Sequence, residues 1–170
     1  MEGYWCDIGD LKAYLQAHMD ILSRKVAIEL AGKEISPGVW AADGADISES
    51  ATVIGPTLIG KDTVIEKNAR IEPFTLLGNG CVIKERATIK RSVLWNNVFV
   101  GPDAALRGAV LCNGVQIQDK ANVYEGAVVG ADSVVKENGM VKPDVKLWPH
   151  KVVEKGSVVH SSCLLYTSRV

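Results

Sequence analysis

Aromatic residues are scarce in this chain, at 6% of 170, with only two phenylalanines. A core short of large rings must be filled by small aliphatic side chains, and the 47% hydrophobic content supplies them. An excess of charge of one sign is missing too: 19 Lys and Arg are interspersed with 20 Asp and Glu, for a net charge of −1. Such a balance leaves no basic stripe for nucleic acid or an anionic membrane. No apolar run nears the roughly 18 residues of a membrane span, and the N-terminus lacks a signal peptide's charged and apolar regions. The four cysteines (Cys6, Cys81, Cys112, Cys163) form no CxxC pair, and His18, His150 and His160 are too scattered for a three-histidine zinc site. The expectation is a reduced, cytoplasmic protein with neither nucleic-acid nor membrane partners.

What is present is a beat. From Ile47 an aliphatic residue returns every six positions through Val53, Ile59, Ile65, Ile71, Leu77, Ile83 and Ile89. The series steps by five to Leu94, runs through Val100 and Leu106, and steps by five again to Leu111. It then continues through Ile117, Val123, Val129, Val135, Val141, Leu147 and Val153 to Val159. Four residues after each lead stands a second series, small or β-branched at every place but Lys151, which includes Cys81, Val93, Val110 and Cys163. In this reading both five-residue steps omit the residue that follows the second series.

Neither a helix, at 3.6, nor a strand, at 2, produces a period of six. A short strand and a corner, repeated, does produce it, and such repeats are the mark of parallel β-helices. Three units close a triangular coil, so 47–163 makes about six and a half coils, stacked roughly 4.8 Å apart into a prism about 30 Å long. Leads point inward, and the second series fills the corners. Turn residues fall at the expected corners: Asn79-Gly80, Asn96-Asn97, Gly108, Asn113-Gly114 and Glu125-Gly126. A buried ammonium at Lys151 would be costly, which predicts a corner or a distorted coil there. One coil cannot stand alone; the array is stable only as a stack.

Ahead of the beat, Asp10 is a good N-cap, and Leu11, Leu15, Met19, Leu22 and Val26 recur at helical spacing, which predicts a helix from Leu11 to Leu30. Residues 1–9 read as a strand end and a turn. Residues 32–46, with Pro37, Gly38 and Gly44, read as a connector and entry to the first coil. Ala41 and Ala45 already match the beat. After Cys163 the segment 164–170 loses the pattern and reads as an irregular, non-native tail.

The run Gly3-Tyr4-Trp5-Cys6-Asp7-Ile8-Gly9-Asp10, with the helix after it, resembles the last segment of sugar-1-phosphate nucleotidyltransferase catalytic domains. The order of motif, helix, Pro/Gly connector and hexapeptides is similar to mannose-1-phosphate guanylyltransferase-like proteins. So are Ser92-Val93-Leu94-Trp95 and Val145-Lys146-Leu147-Trp148-Pro149, most of all to bacterial forms fused to a phosphomannomutase-like domain. The resemblance implies a mainly β fold, a left-handed parallel β-helix preceded by one α-helix, with 1–31 as the tail end of a catalytic domain. It implies an activity in the intact protein, GDP-mannose formation from GTP and mannose 1-phosphate with Mg²⁺, to which Asp7 would contribute a metal ligand. A plain turn-capping role for Asp7 is the other reading. The chain has neither the Gly-rich nucleotide loop nor a partner aspartate, so no catalytic or cofactor-binding residue is expected within it, and alone it is expected to be inactive.

Ile54, Trp95, Tyr124 and Trp148 each follow a lead and should face outward. Trp95, Trp148 and Tyr124 are the candidate interface residues, for the missing N-terminal catalytic domain or for a second subunit of a homo-oligomer built through the β-helix. Two other functions fit the repeat. One is a non-catalytic structural or regulatory module; the other is a hexapeptide acyltransferase using His150 or His160 as a base.

Overall fold

The computed structural model describes residues 7–162. One helix, α1 (Leu11–Leu22), precedes a short hairpin of β1 (Lys33–Ser36) and β2 (Val39–Ala41), and twenty further strands of two or three residues follow. From β2 onward every pairing is parallel, and each strand bonds to the one three ahead, which is the connectivity of a three-sided coil. The chain is a parallel β-helix with seven rungs on each of three faces. Its first face also carries β1, which pairs with β2 antiparallel at the edge.

The leads behave as the beat predicts. Ile59 and all later ones are 5% exposed or less, in one continuous core; Ile47 and Val53, in the first coil, are only partly covered. The corners have a common conformation. At the turn after the first face, Gly44, Asp62, Gly80, Asn97, Gly114, Asp132 and His150 all have positive φ. The turn after the second face repeats this from Asn68 through Arg86 and Lys120 to Gly156. Glycine and asparagine at these places are the residues least strained there, so Asn-Gly pairs marked corners correctly. Arg86, Lys120 and Phe74 adopt the same conformation and carry no such signal.

Register corrects the reading of the two short steps. Val93 and Val110 pair with the outward Leu76 and Val128, so they are not corner residues. Ser92 and Ala109 fill the inward corner position, both fully buried, and the omitted residue precedes them. The short corners Lys90-Arg91 and Arg107-Gly108 lie on adjacent rungs, with the Gly108 N–H donating to the Lys90 carbonyl at 2.9 Å. Val93 and Val110 are nonetheless only 2% and 3% exposed, because something lies over them.

That cover is at the first face, beside α1. The helix starts as predicted: the Asp10 carboxylate accepts from the Ala13 N–H at 2.7 Å. It ends eight residues earlier than the periodicity suggests. Arg24 turns left-handed (φ 61°), and the N–H groups of Arg24 and Lys25 satisfy the carbonyls of Ile21 and Asp20. This closure forms without glycine, which is why the sequence concealed it. The Arg24 guanidinium then sits 4.5 Å from the Trp40 ring centroid and joins the helix end to the first coil.

The first coil also starts earlier than 47. Pro37-Gly38 turns the β1–β2 hairpin, Gly38 taking φ 73°, and β2 is already the first rung of the first face. Of the two expectations at Lys151 the corner is the one that forms, just after His150 (φ 59°), and the coil is undistorted: the Lys151 carbonyl accepts from Val134 at 2.8 Å and its N–H donates to Ser133 Oγ at 3.0 Å. Among the described residues no later rung stacks over it, so its half-exposed side chain need not enter the core. Of the strand end and turn expected over 1–9, residues 1–6 lie outside the described residues and 7–9 form no strand; Cys163 and the tail 164–170 also lie outside them.

Candidate functional site

The outward side chains of the first face are Trp40, Leu58, Leu76, Val93, Val110 and Val128, then Lys146. A helix with Ala17 and Leu22 buried has an apolar side to match them. Grooves open on both sides of α1, where its cylinder meets the flat sheet.

The more apolar groove, about 640 Å³, is lined by Ile8, Gly9, Leu11 and Tyr14 on one bank and by Trp95, Cys112, Val128 and Trp148 on the other. Trp95 and Trp148 occupy one corner column, three rungs or about 14 Å apart, with the smaller Cys112 and Gly130 between them. The slot thus has an indole at either end. Trp95 Nε1 donates to the Tyr14 hydroxyl at 3.1 Å, while Trp95 and Trp148 stay 42% and 55% exposed. Burial pushes the Cys112 thiol up, so it is not a poised nucleophile.

The second groove, about 690 Å³, runs along the other flank and mixes Lys12, Arg91 and Lys146 with Glu125 and Asp144. Tyr124 belongs to this side, its ring 5.2 Å from the Lys142 ammonium. The structure therefore brings Trp95 and Trp148 together and places Tyr124 on the opposite edge of the face. Sequence reasoning missed Tyr14, Ile8 and Cys112. The signal that could have found them is the aliphatic residue just before every third lead.

Asp7 is exposed at the mouth of the apolar groove, next to Ile8 and Gly9. Among the described residues no three His, Cys, Asp or Glu gather as a metal site, and the nearby Asp10 carboxylate is engaged in capping the helix. The residues present therefore do not make a magnesium site by themselves. His150 is an exposed corner residue 3.9 Å from Asp132, and His160 is exposed on the last rung. Neither lines the grooves beside α1. No helix among the described residues is long and apolar enough to cross a membrane.

Residues 36–141 match the family model of the EIF2B subunit epsilon LbH domain. The chain belongs to that family. Its β-helix is therefore the left-handed kind, as the hexapeptide resemblance implied. The LbH domain is similar to the C-terminal regions of sugar-1-phosphate nucleotidyltransferases. The chain is 28% identical over 143 residues to glucose-1-phosphate adenylyltransferase of Bacillus cereus (strain Q1), covering 84% of this chain and 33% of that one. It is 32% identical over 108 residues to UTP–glucose-1-phosphate uridylyltransferase of Synechocystis sp. (strain ATCC 27184 / PCC 6803 / Kazusa), covering 62% and 28%. The chain thus spans about a third of the length of the curated relatives it matches. Among solved structures, perosamine N-acetyltransferase from Caulobacter crescentus superposes with TM-score 0.50 at 21% identity, covering 82% of this chain and 60% of that one. At that identity the likeness concerns fold alone.

Proposed function

We propose that the chain is the C-terminal part of a sugar-1-phosphate nucleotidyltransferase, in which the β-helix serves assembly and docking of the domain that performs the chemistry. The observation that carries this reading is the exposed two-tryptophan slot beside Ile8 and Gly9, in a chain similar to the C-terminal regions of such enzymes. In the intact protein a nucleotidyl group passes from an NTP to a sugar 1-phosphate with release of pyrophosphate. Two phosphates meeting there need a hard cation held by carboxylates. Asp7 supplies one such carboxylate, and the remaining ligands belong to the preceding domain. The narrower form of the proposal is GTP and mannose 1-phosphate in the cytoplasm, which rests on the Ser92–Trp95 and Val145–Pro149 patterns.

The test is to express this chain with its in-frame upstream coding region and to assay pyrophosphate release with each NTP against mannose and glucose 1-phosphates. Magnesium-dependent turnover that falls sharply in Asp7→Asn supports the reading, and the preferred pair decides its narrower form. Absence of turnover with every pair, together with CoA binding that is lost in His150→Ala, would replace it with acyl transfer.

A further inference from the structure

Five ion pairs join neighbouring coils of the prism: Lys84 to Glu66, Lys67 to Glu85 at 3.1 Å, Arg86 to Asp103 at 2.8 Å, Lys136 to Glu154 at 2.7 Å and Lys155 to Glu137 at 2.8 Å. The two short corners depart from this pattern. Lys90 and Arg107 stand in register on neighbouring strands, and among the described residues they are the one pair of charged residues so placed. Both are cations, about 4.8 Å apart at the backbone, which is destabilising unless something neutralises them. Arg91 adds a third charge at the same corner. All three side chains are exposed, and none bridges to a carboxylate. Glu72, on the coil before Lys90, is taken by Arg70, and Glu125, on the coil after Arg107, forms no bridge to it. The corner thus holds four cations against two carboxylates. Arg91 and Lys12 line the groove along the flank of α1 away from the tryptophan slot, so the cluster lies beside the first turn of the helix.

We propose that Lys90, Arg91 and Arg107 receive carboxylates of the domain that precedes residue 7. The proposal rests on the reading of this chain as the C-terminal part of a longer enzyme, and it gives that docking a charged contact on the second flank of α1. Strength decides between a tethered partner and a diffusing one. An ion pair open to water contributes little and is screened by salt, so three of them hold a free anion weakly. A domain joined through α1 is present at an effective concentration on the order of millimolar, at which weak pairs suffice. Once seated it also excludes water, which strengthens the same pairs. The cluster is too short for nucleic acid, because Glu72 and Glu125 end it on either side.

Acetylation of lysines by a water-soluble active ester, read by mass spectrometry, tests this. The 170-residue chain is compared with the protein expressed together with its in-frame upstream region. Lys90 is expected to react about tenfold more slowly in the longer protein, as a covered group does. Lys67 and Lys155, on the prism edge opposite the first face, should react alike in both. Salt at about 1 M should remove most of the protection of Lys90. Arg107→Glu gives a reading that a merely structural role would not. In the 170-residue chain it turns a like pair into an opposite one and should raise the thermal midpoint by about 1–3 °C. In the longer protein the same substitution should leave Lys90 as reactive as in the short chain that carries it.

Equal reactivity of Lys90 in the two proteins, or a midpoint that Arg107→Glu lowers or leaves unchanged, would overturn the assignment. So would protection of Lys90 in the short chain by inorganic phosphate alone, which would make the cluster a small-anion site. Pyrophosphate release by a longer protein whose Lys90 stays unprotected would remove the charged contact and leave nucleotidyl transfer standing. Protection of Lys90 without turnover would do the reverse.

Discussion

The inside of the prism is uniform enough that single residues have definite costs. Ile117 is fully buried between Val100 and Val135 on neighbouring rungs, so Ile117→Ala should cost about 2–5 kcal/mol, read from the denaturant midpoint at unchanged slope. Gly78 has little room: a Cβ there would lie 2.6 Å from the Trp95 carbonyl carbon of the next rung. Gly78→Ala should therefore destabilise by about 1–3 kcal/mol, the usual cost of overpacking. Thr75 tests the opposite direction. Its hydroxyl is buried without a partner while the equivalent Thr57 hydroxyl donates to the Ile54 carbonyl at 2.8 Å. Thr75→Val keeps the shape, removes an unpaid desolvation and should raise the thermal midpoint; Thr57→Val, which discards a made bond, should lower it.

At the scale of elements, the helix is the part whose attachment should respond to pH. His18 lies on α1 with its ring edge-on to Tyr14 at 4.4 Å, and burial pushes its pKa below the ordinary 6.5. Its buried Nδ1 has no partner. A folded-state pKa below the unfolded one means that the unfolded chain binds the extra proton first. Stability should then be full above about pH 6.5 and decline as pH falls from there toward the folded pKa, with Trp95 fluorescence reporting helix release. His18→Gln should flatten that slope; an unchanged slope would place the titrating group elsewhere. The exposed ladder Lys67–Glu85–Arg86–Asp103 responds in the same direction, in a lower pH window. Its hydrogen-bonded carboxylates are held below their usual range, so what they contribute is lost only in more acid solution.

For the whole molecule, stability is a sum over neighbouring coils. Strands recur at 18-residue offsets, as Gln116 and Val134 do, so deleting residues 119–136 removes one coil and keeps every later residue on its own face. Such a chain should fold cooperatively, with a denaturant slope lower by about one-seventh. Deleting six residues instead moves all later rungs round by one face. The core would still be aliphatic, but Val128 would leave the neighbourhood of α1 and Trp148 would part from Trp95. A six-residue deletion that folded as stably as the 18-residue one would contradict this account of the helix.

The interior of this protein was legible in the sequence, because a prism with one kind of inward position forces one kind of residue to recur at a fixed interval. Ile59 through Val159 and the Asn-Gly corners follow from that constraint alone. The outside was not legible to the same degree. Whether Val93 is a corner residue or an outward one depends on which neighbour it pairs with, and only the stacked register assigns that place to Ser92. The helix end at Ser23 rests on a backbone closure through Arg24 that needs no glycine. Trp95 and Trp148 are 53 residues apart in sequence, and they share one slot only because three shortened or regular coils return the chain to the same column. Inward positions are set by local period, and so the sequence determined the core; which outward side chains face the helix or the solvent is set by coil-to-coil register, and that the tertiary structure decided.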